Sequence, residues 1–324
     1  MYQPQVYGAA LALMILSMLC WGSWANTMKL TIGWPFQAFY WDYVGGIFLA
    51  SLLWGVLFGG SSFLTRLLHA DPSHLLLAVV GGIVFNVANL LIVAAIEIAG
   101  MAVAFPIGIG LALVVGAILN YVLVPVGNPL LLAGGVVLVL VAIGFDAIAY
   151  RRREASSSAV TANGIRLSLF GGLLMGLFYP FVAKSLVGPR SLDAYTVSVI
   201  FALGVAVCAL PLNYFFMRRP LTATPRVAWK DYFSGKGRWH FAATLGGMIW
   251  CTGAEANFVA SQAHLVGPAT SYTIGQGATM VSALWGVCVW KEFAGAPTAS
   301  RRLLLPMFGL FLLGLVCVAL APLY

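Results

Sequence analysis

Residues 74–96 read HLLLAVVGGIVFNVANLLIVAAI, and residues 240–262 read HFAATLGGMIWCTGAEANFVASQ. The first contains no Asp, Glu, Lys or Arg and is apolar all round, with His74 at its start, a Gly-Gly pair and two Asn as its only departures. About 20 such residues carry a helix across a bilayer. The second repeats the plan, Gly246-Gly247 and Asn257 answering Gly81-Gly82 and Asn89, and adds one carboxyl, Glu255.

Working outward from these two, similar runs fill almost the whole chain. The spans predicted from sequence are 9–30, 38–59, 74–96, 101–124, 130–150, 165–187, 194–217, 240–262, 266–290 and 303–322. The 324 residues are 61% apolar and only 8% charged, against roughly 25% charged in soluble domains. Transmembrane strands would need stretches of about ten residues with alternating faces, which these runs do not have. The expected fold class is therefore all-α integral membrane with ten transmembrane helices. Met1 to Ala10 holds no Lys or Arg, so the first run lacks a signal peptide's basic head and reads as the first span.

The net charge is +8, and its placement explains it. Fourteen of the 17 Lys and Arg lie in or beside the loops that follow odd-numbered spans; Arg66, Lys184 and Arg190 are the others. The positive-inside rule places the odd loops in the cytoplasm and both termini outside, and leaves no reason to expect a nucleic-acid partner. The five Cys all fall within spans and form no CxxC pair, so they read as packing residues.

An internal repeat organises the ten spans. Residues 100–110, GMAVAFPIGIG, align with 267–277, GPATSYTIGQG, matching five small or aliphatic positions and placing Phe105 opposite Tyr272. Two homologous halves of five helices enter the membrane from opposite sides, which is an inverted repeat. The expected organisation is an N-terminal repeat over 1–150, a cytoplasmic linker over 151–164 and a C-terminal inverted repeat over 165–324.

Polar groups inside hydrocarbon are costly and mark function or helix pairing. Glu255 is the one acidic residue well inside a span; there it can bind and release a proton, or donate to a neighbouring helix. Asn86, Asn89 and Asn257 suit the edge of a polar solute or interhelical bonds. Thr273 and Gln276 follow Tyr272 in the ninth span, with Phe105 as an apolar counterpart in the fourth. Trp21, Trp24 and Asn26 cluster in residues 20–30, CWGSWANTMKL, and Tyr179 holds the corresponding place in the sixth span. The tryptophans read either as interfacial anchors or as stacking surfaces for a planar solute. Lys29, Asp42, Glu97 and Asp146 lie near cytoplasmic helix ends and read as interfacial charges that pair there. No HExxH motif or phosphate-binding loop occurs, and no nucleophile pairs with a base, so neither catalysis, a metal nor a cofactor is expected.

The string CWGSWANTMKL resembles the first-span segment of the plant ureide permeases and their bacterial relatives, in the drug/metabolite transporter superfamily with the rhamnose and glucose/ribose porters. The resemblance extends over the whole layout. It departs in the middle, where the plant proteins carry a long cytosolic loop. It implies the drug/metabolite transporter fold in a plasma membrane (the inner membrane, in a bacterium). It also implies proton-coupled import of ureides or nucleobases such as allantoin or uracil by a monomer or homodimer. A sugar porter of the same superfamily and a non-transporting ligand sensor are the two rival expectations.

Overall fold

In the computed structural model the described residues are all except 61–62, 100–103, 154–161, 221–224 and 264–265, and every regular element among them is helical. The chain runs through α1 (Tyr7–Ser23), prolonged as a tighter 3₁₀ turn over Trp24–Leu30, then α2 (Phe36–Phe58) and the short α3 (Phe63–Leu68). Next come α4 (Pro72–Ala99), a π-helical turn over Phe105–Ile109 leading into α5 (Gly110–Leu123), and α6 (Pro129–Arg153). The second half holds α7 (Ala162–Ser185), α8 (Ala194–Arg218), the short α9 (Trp229–Phe233) and α10 (Gly237–Ser261). It closes with α11 (Gly267–Gln276), α12 (Ala278–Leu284) with a π-helical turn over Trp285–Val289, α13 (Thr298–Arg301) and α14 (Leu304–Leu320).

Eight helical stretches of the described residues are long and apolar enough to cross a bilayer, the first of them Tyr7–Leu30 and the last Thr298–Leu323. Their bounds follow the spans read from sequence closely. Two of the ten expected spans are different. The helix α10 has the length, but Arg238, His240, Thr244, Thr252, Glu255 and Asn257 make it the most polar of the long helices. The segment 267–290 breaks into three pieces, the first break falling at Gly277 where Gly275 and Gly277 flank Gln276; glycine is a poor helix former. The repeat segment 100–110 lies outside the described residues over 100–103.

Close approach at small residues holds the helices together, as expected where lipid tails solvate Leu as well as protein does. A Cβ on Gly247 of α10 would collide with the Tyr43 carbonyl of α2 and stand 2.8 Å from the Ile47 nitrogen. A Cβ on Gly82 of α4 would meet the Phe201 carbonyl of α8 and stand 2.9 Å from the Val205 nitrogen. The two backbone crossings, α2 on α10 and α4 on α8, bring large rings together at the centre. The Phe85 and Trp250 rings are 4.2 Å apart, with Trp21, Phe178 and Phe201 stacked or edge-on around them. The helices α6 and α14 pair with one another beside this core.

Candidate functional site

The aromatic plug of Trp21, Phe85, Phe178, Phe201 and Trp250 separates two buried polar clusters. Their order follows from helix rise: on α1, Ser17 lies one turn before Trp21 and Trp24 nearly one turn after it.

On the Ser17 side, the Tyr179 hydroxyl of α7 donates to Asn257 Oδ1 at 2.6 Å. Asn257 Nδ2 donates to Ser17 Oγ at 3.0 Å and to the Ser271 carbonyl at 2.9 Å, while Ser271 Oγ reaches Asn257 Oδ1 at 2.9 Å. The Tyr272 hydroxyl donates to the Ala112 carbonyl of α5 at 3.0 Å. Gly275 permits this junction, because a Cβ there would stand 2.6 Å from the Trp21 ring and 2.8 Å from Asn257 Nδ2. Four helices, α1, α7, α10 and α11, thus meet at one amide.

Tyr179→Phe keeps the ring packing and removes one donor to an oxygen that Ser271 still serves. A typical net hydrogen bond contributes about 1 kcal/mol, so thermal unfolding of the purified variant is expected to fall by only a few degrees. A collapse of the fold on this change would contradict that assignment.

On the Trp24 side, the Tyr40 hydroxyl of α2 donates to Asn86 Oδ1 at 2.8 Å and accepts from Asn89 Nδ2 at 3.3 Å. The Tyr43 ring lies 5.5 Å from Tyr40 and 4.7 Å from Trp24. Asn86 Nδ2 and the Tyr43 hydroxyl are buried without a hydrogen-bond partner among the described residues.

Glu255 lies on the Ser17 side but faces away from Asn257, since two residues turn a helix by about 200°. It is 5% exposed and looks towards α8, with Ser198 and Asp193 among its polar neighbours. Neither carboxyl oxygen makes a well-formed hydrogen bond among the described residues. Ser198 Oγ sits 3.9 Å from Cys251 Sγ one turn along the same face.

Trp21, Tyr179, Asn257 and Tyr272 therefore come together, with Gln276 buried at the following junction. Asn86, Asn89 and Trp24 form the second group. Thr273 is fully buried, its hydroxyl without a partner among the described residues. Asn26 belongs to neither group: its Oδ1 accepts from Trp290 Nε1 at 2.5 Å near the Lys29 end. The side chains of Phe105 and Glu97 lie outside the described ones.

Sequence reasoning missed Tyr40 and Tyr43, which sit in the aromatic run FQAFYWDY at 36–43. It also missed Ser17, Ser198 and Ser271, single hydroxyls whose roles depend on partners far along the chain.

Of the four charges expected to pair at the cytoplasmic helix ends, Lys29 and Asp42 do so, whereas Asp146 is not seen in an ion pair among the described residues. Asp42 accepts from the Tyr232 hydroxyl at 2.6 Å and faces His240 Nδ1 at 2.6 Å. Partial burial and this bond to a carboxylate push the Tyr232 phenol up to about 12. Lys29 pairs with Glu292 at 2.5 Å. Asp146 is buried, with Oδ1 unpartnered among the described residues.

Three curated relatives from Arabidopsis thaliana align along nearly the full chain. Ureide permease 1 and ureide permease 2 are each 25% identical to it, over 96% of this chain and 96% of their own length. Ureide permease 5 is 25% identical, over 96% of this chain and 93% of its own length. The family described as sugar transport protein matches from residue 11 to residue 322, so the chain belongs to that family.

Proposed function

We propose that the protein is a secondary active transporter that imports a small polar heterocycle, a ureide or nucleobase such as allantoin or uracil, with a proton. The observation that carries this reading is a pair of polar clusters, each bordered by flat rings, buried on either side of an aromatic plug in a membrane bundle. Polar atoms of Asn86 and Tyr43 within one cluster, and of Thr273 and Glu255 on the helices that carry the other, lack protein partners among the described residues. Unpaired groups of this kind are expensive in hydrocarbon and are retained where a solute or proton uses them.

The reading includes ten crossings, with α10 and the 267–290 segment lining the pathway, and two inverted halves. Its support is an exchange pattern in the packing. Exchanging α1 with α7, α2 with α8, α4 with α10, α5 with α11–α12 and α6 with α14 returns the same set of principal helix pairs. The glycine crossings obey the same exchange: Gly82 on Phe201 and Val205 answers Gly247 on Tyr43 and Ile47. Gly204 against the Val79 carbonyl answers Gly46 against that of Thr244. The Tyr40–Asn86 pair likewise answers Ser198–Cys251. Two halves related in this way rock about a central site.

The ureide assignment draws on the names of the relatives. The family's description favours one rival, a sugar porter, for which the Asn and Gln side chains would serve hydroxyls.

Purified protein in proteoliposomes should accumulate labelled allantoin or uracil when the outside is made acidic. Excess hexose should leave that uptake unchanged. Block by hexose would favour the sugar porter, and saturable binding without flux would favour a sensor.

A further inference from the structure

The two ends of the bundle are built differently at places that the exchange makes equivalent. Where α1 leaves the plug, its 3₁₀ extension is laced to α12 and the turn after it. Ser282 Oγ donates to the Gly22 carbonyl at 2.9 Å, Trp285 Nε1 to Ser23 Oγ at 2.9 Å, and Trp290 Nε1 to Asn26 Oδ1 at 2.5 Å. The ladder ends on Lys29, whose Nζ is 2.5 Å from Glu292 Oε1 and 4.7 Å over the Trp290 ring.

Glu292 also ties in α6, accepting from the Tyr150 hydroxyl at 2.8 Å and from Arg153 at 3.2 Å. Partial burial acts to raise its carboxyl, but the Lys29, Tyr150 and Arg153 contacts outweigh this and hold it below the usual range.

The equivalent pair at the opposite end is α7 against α5. Gly22 against Ala278 and Val281 answers Gly176 against Ala112 and Val115, and in that register exchange carries Asn26 and Lys29 to Pro180 and Ala183, and the Trp290–Glu292 stretch to the residues just after α5, near Val124 and Val126. None of these side chains can form a ladder. A cavity of about 260 Å³ lies here, bordered by Val124, Val126, Ala183, Leu186, Ser261 and Gln262.

We infer that the protein stands open at the Val126–Ala183 end and bolted at the Lys29–Glu292 end, the cavity being the solute's way in and the ladder the gate that must part for release. This rests on the alternating-access reading and on the basic loops that put Lys29 at the cytoplasmic face. The asymmetry of chemistry has a physical use. Apolar faces reclose without directional bonds, whereas a ladder of hydrogen bonds ending in an ion pair has one register and comes apart as a unit. Ligand binding then needs to shift the balance only by its differential affinity for the two states.

The test reads the gate without solute or gradient. Ser261→Cys, at a half-buried residue on the border of the cavity, is introduced into the full-length chain in intact cells. Its modification by a membrane-impermeant maleimide added outside is followed at that residue by peptide mass spectrometry. Labelling should be ready in the otherwise unaltered chain. It should slow by about threefold or more when Lys29→Ala or Trp290→Phe loosens the opposite end and moves the population away from the open form. Lys29→Arg should restore it.

Should Lys29→Ala fail to fold, Trp290→Phe keeps the ion pair and still removes one rung. Equal labelling rates in all variants, or labelling only after cells are permeabilised, would overturn the inference. Because no solute is present, these outcomes are distinct from failure of the ureide assignment, which an uptake assay reports.

Discussion

Glu255→Gln is expected to abolish proton-driven accumulation while leaving exchange of solute across the membrane intact. The side chain sits in the interior of α10, 5% exposed, and the amide has nearly its shape but no proton to release. One pH unit is worth 1.36 kcal/mol, a factor of ten in an equilibrium. A one-unit gradient coupled to one proton therefore supports up to about tenfold accumulation in the parent protein, and the variant should fall to a ratio of about one.

Counterflow, which needs only the solute site and the rocking of the halves, should continue, because Asn257 and Asn86 point to other faces. Stability should hold or rise, since the substitution removes an ionisable group from hydrocarbon. Accumulation that survives the change would sink the coupling role and leave Asp146, the other buried carboxyl with an unpartnered oxygen among the described residues, as the group to test next.

Gly247→Ala and Gly82→Ala are expected to be among the most damaging single-methyl changes in the protein. In each the added carbon meets a backbone carbonyl of the crossing helix, Tyr43 in one case and Phe201 in the other. A backbone cannot swing aside as a flexible side chain does. Overpacking of this kind costs roughly 1–3 kcal/mol, and here the whole of α2 or α8 must shift to relieve it.

Gly45→Ala is the matched control. It lies in α2, next to the helix crossing, yet a Cβ there meets nothing within 4 Å; alanine's better helix propensity should make it neutral or slightly stabilising. Thermal unfolding of the three purified variants decides the matter. If Gly247→Ala melts with Gly45→Ala, the close crossing does not hold the fold.

Much of the fold was legible because each membrane helix satisfies its own backbone and must be apolar along its length. Eight of the ten expected spans emerge as helices long and apolar enough to cross. The other two were harder because of their polarity and their glycines. Polar residues along α10 and glycines around Gln276 weaken the helical signal where the candidate site lies.

Of the site, Asn257 and Tyr179 were legible as expensive polar groups, but their partnership across 78 positions was not. Asn26 illustrates the converse: a polar residue in the right motif lies at the Lys29 end, because the 3₁₀ turn over Trp24–Leu30 carries it beyond the plug. Glu255 and Asn257 are neighbours in sequence and face different helices.

The sequence by itself determined that this chain is a bundle of membrane helices, where its basic loops lie, and that residues 81–89 and 246–257 share a pattern of glycines and amides. Those properties follow from composition and from helical period, which act locally along each segment. Only the tertiary structure decided that Tyr40 and Tyr43 belong with Asn86, that aromatic rings from both halves separate the polar clusters, and that one end is laced while the other opens on a cavity. Such facts depend on which faces of distant helices meet, and that is set by backbone crossings at Gly82 and Gly247 rather than by any one segment's preferences.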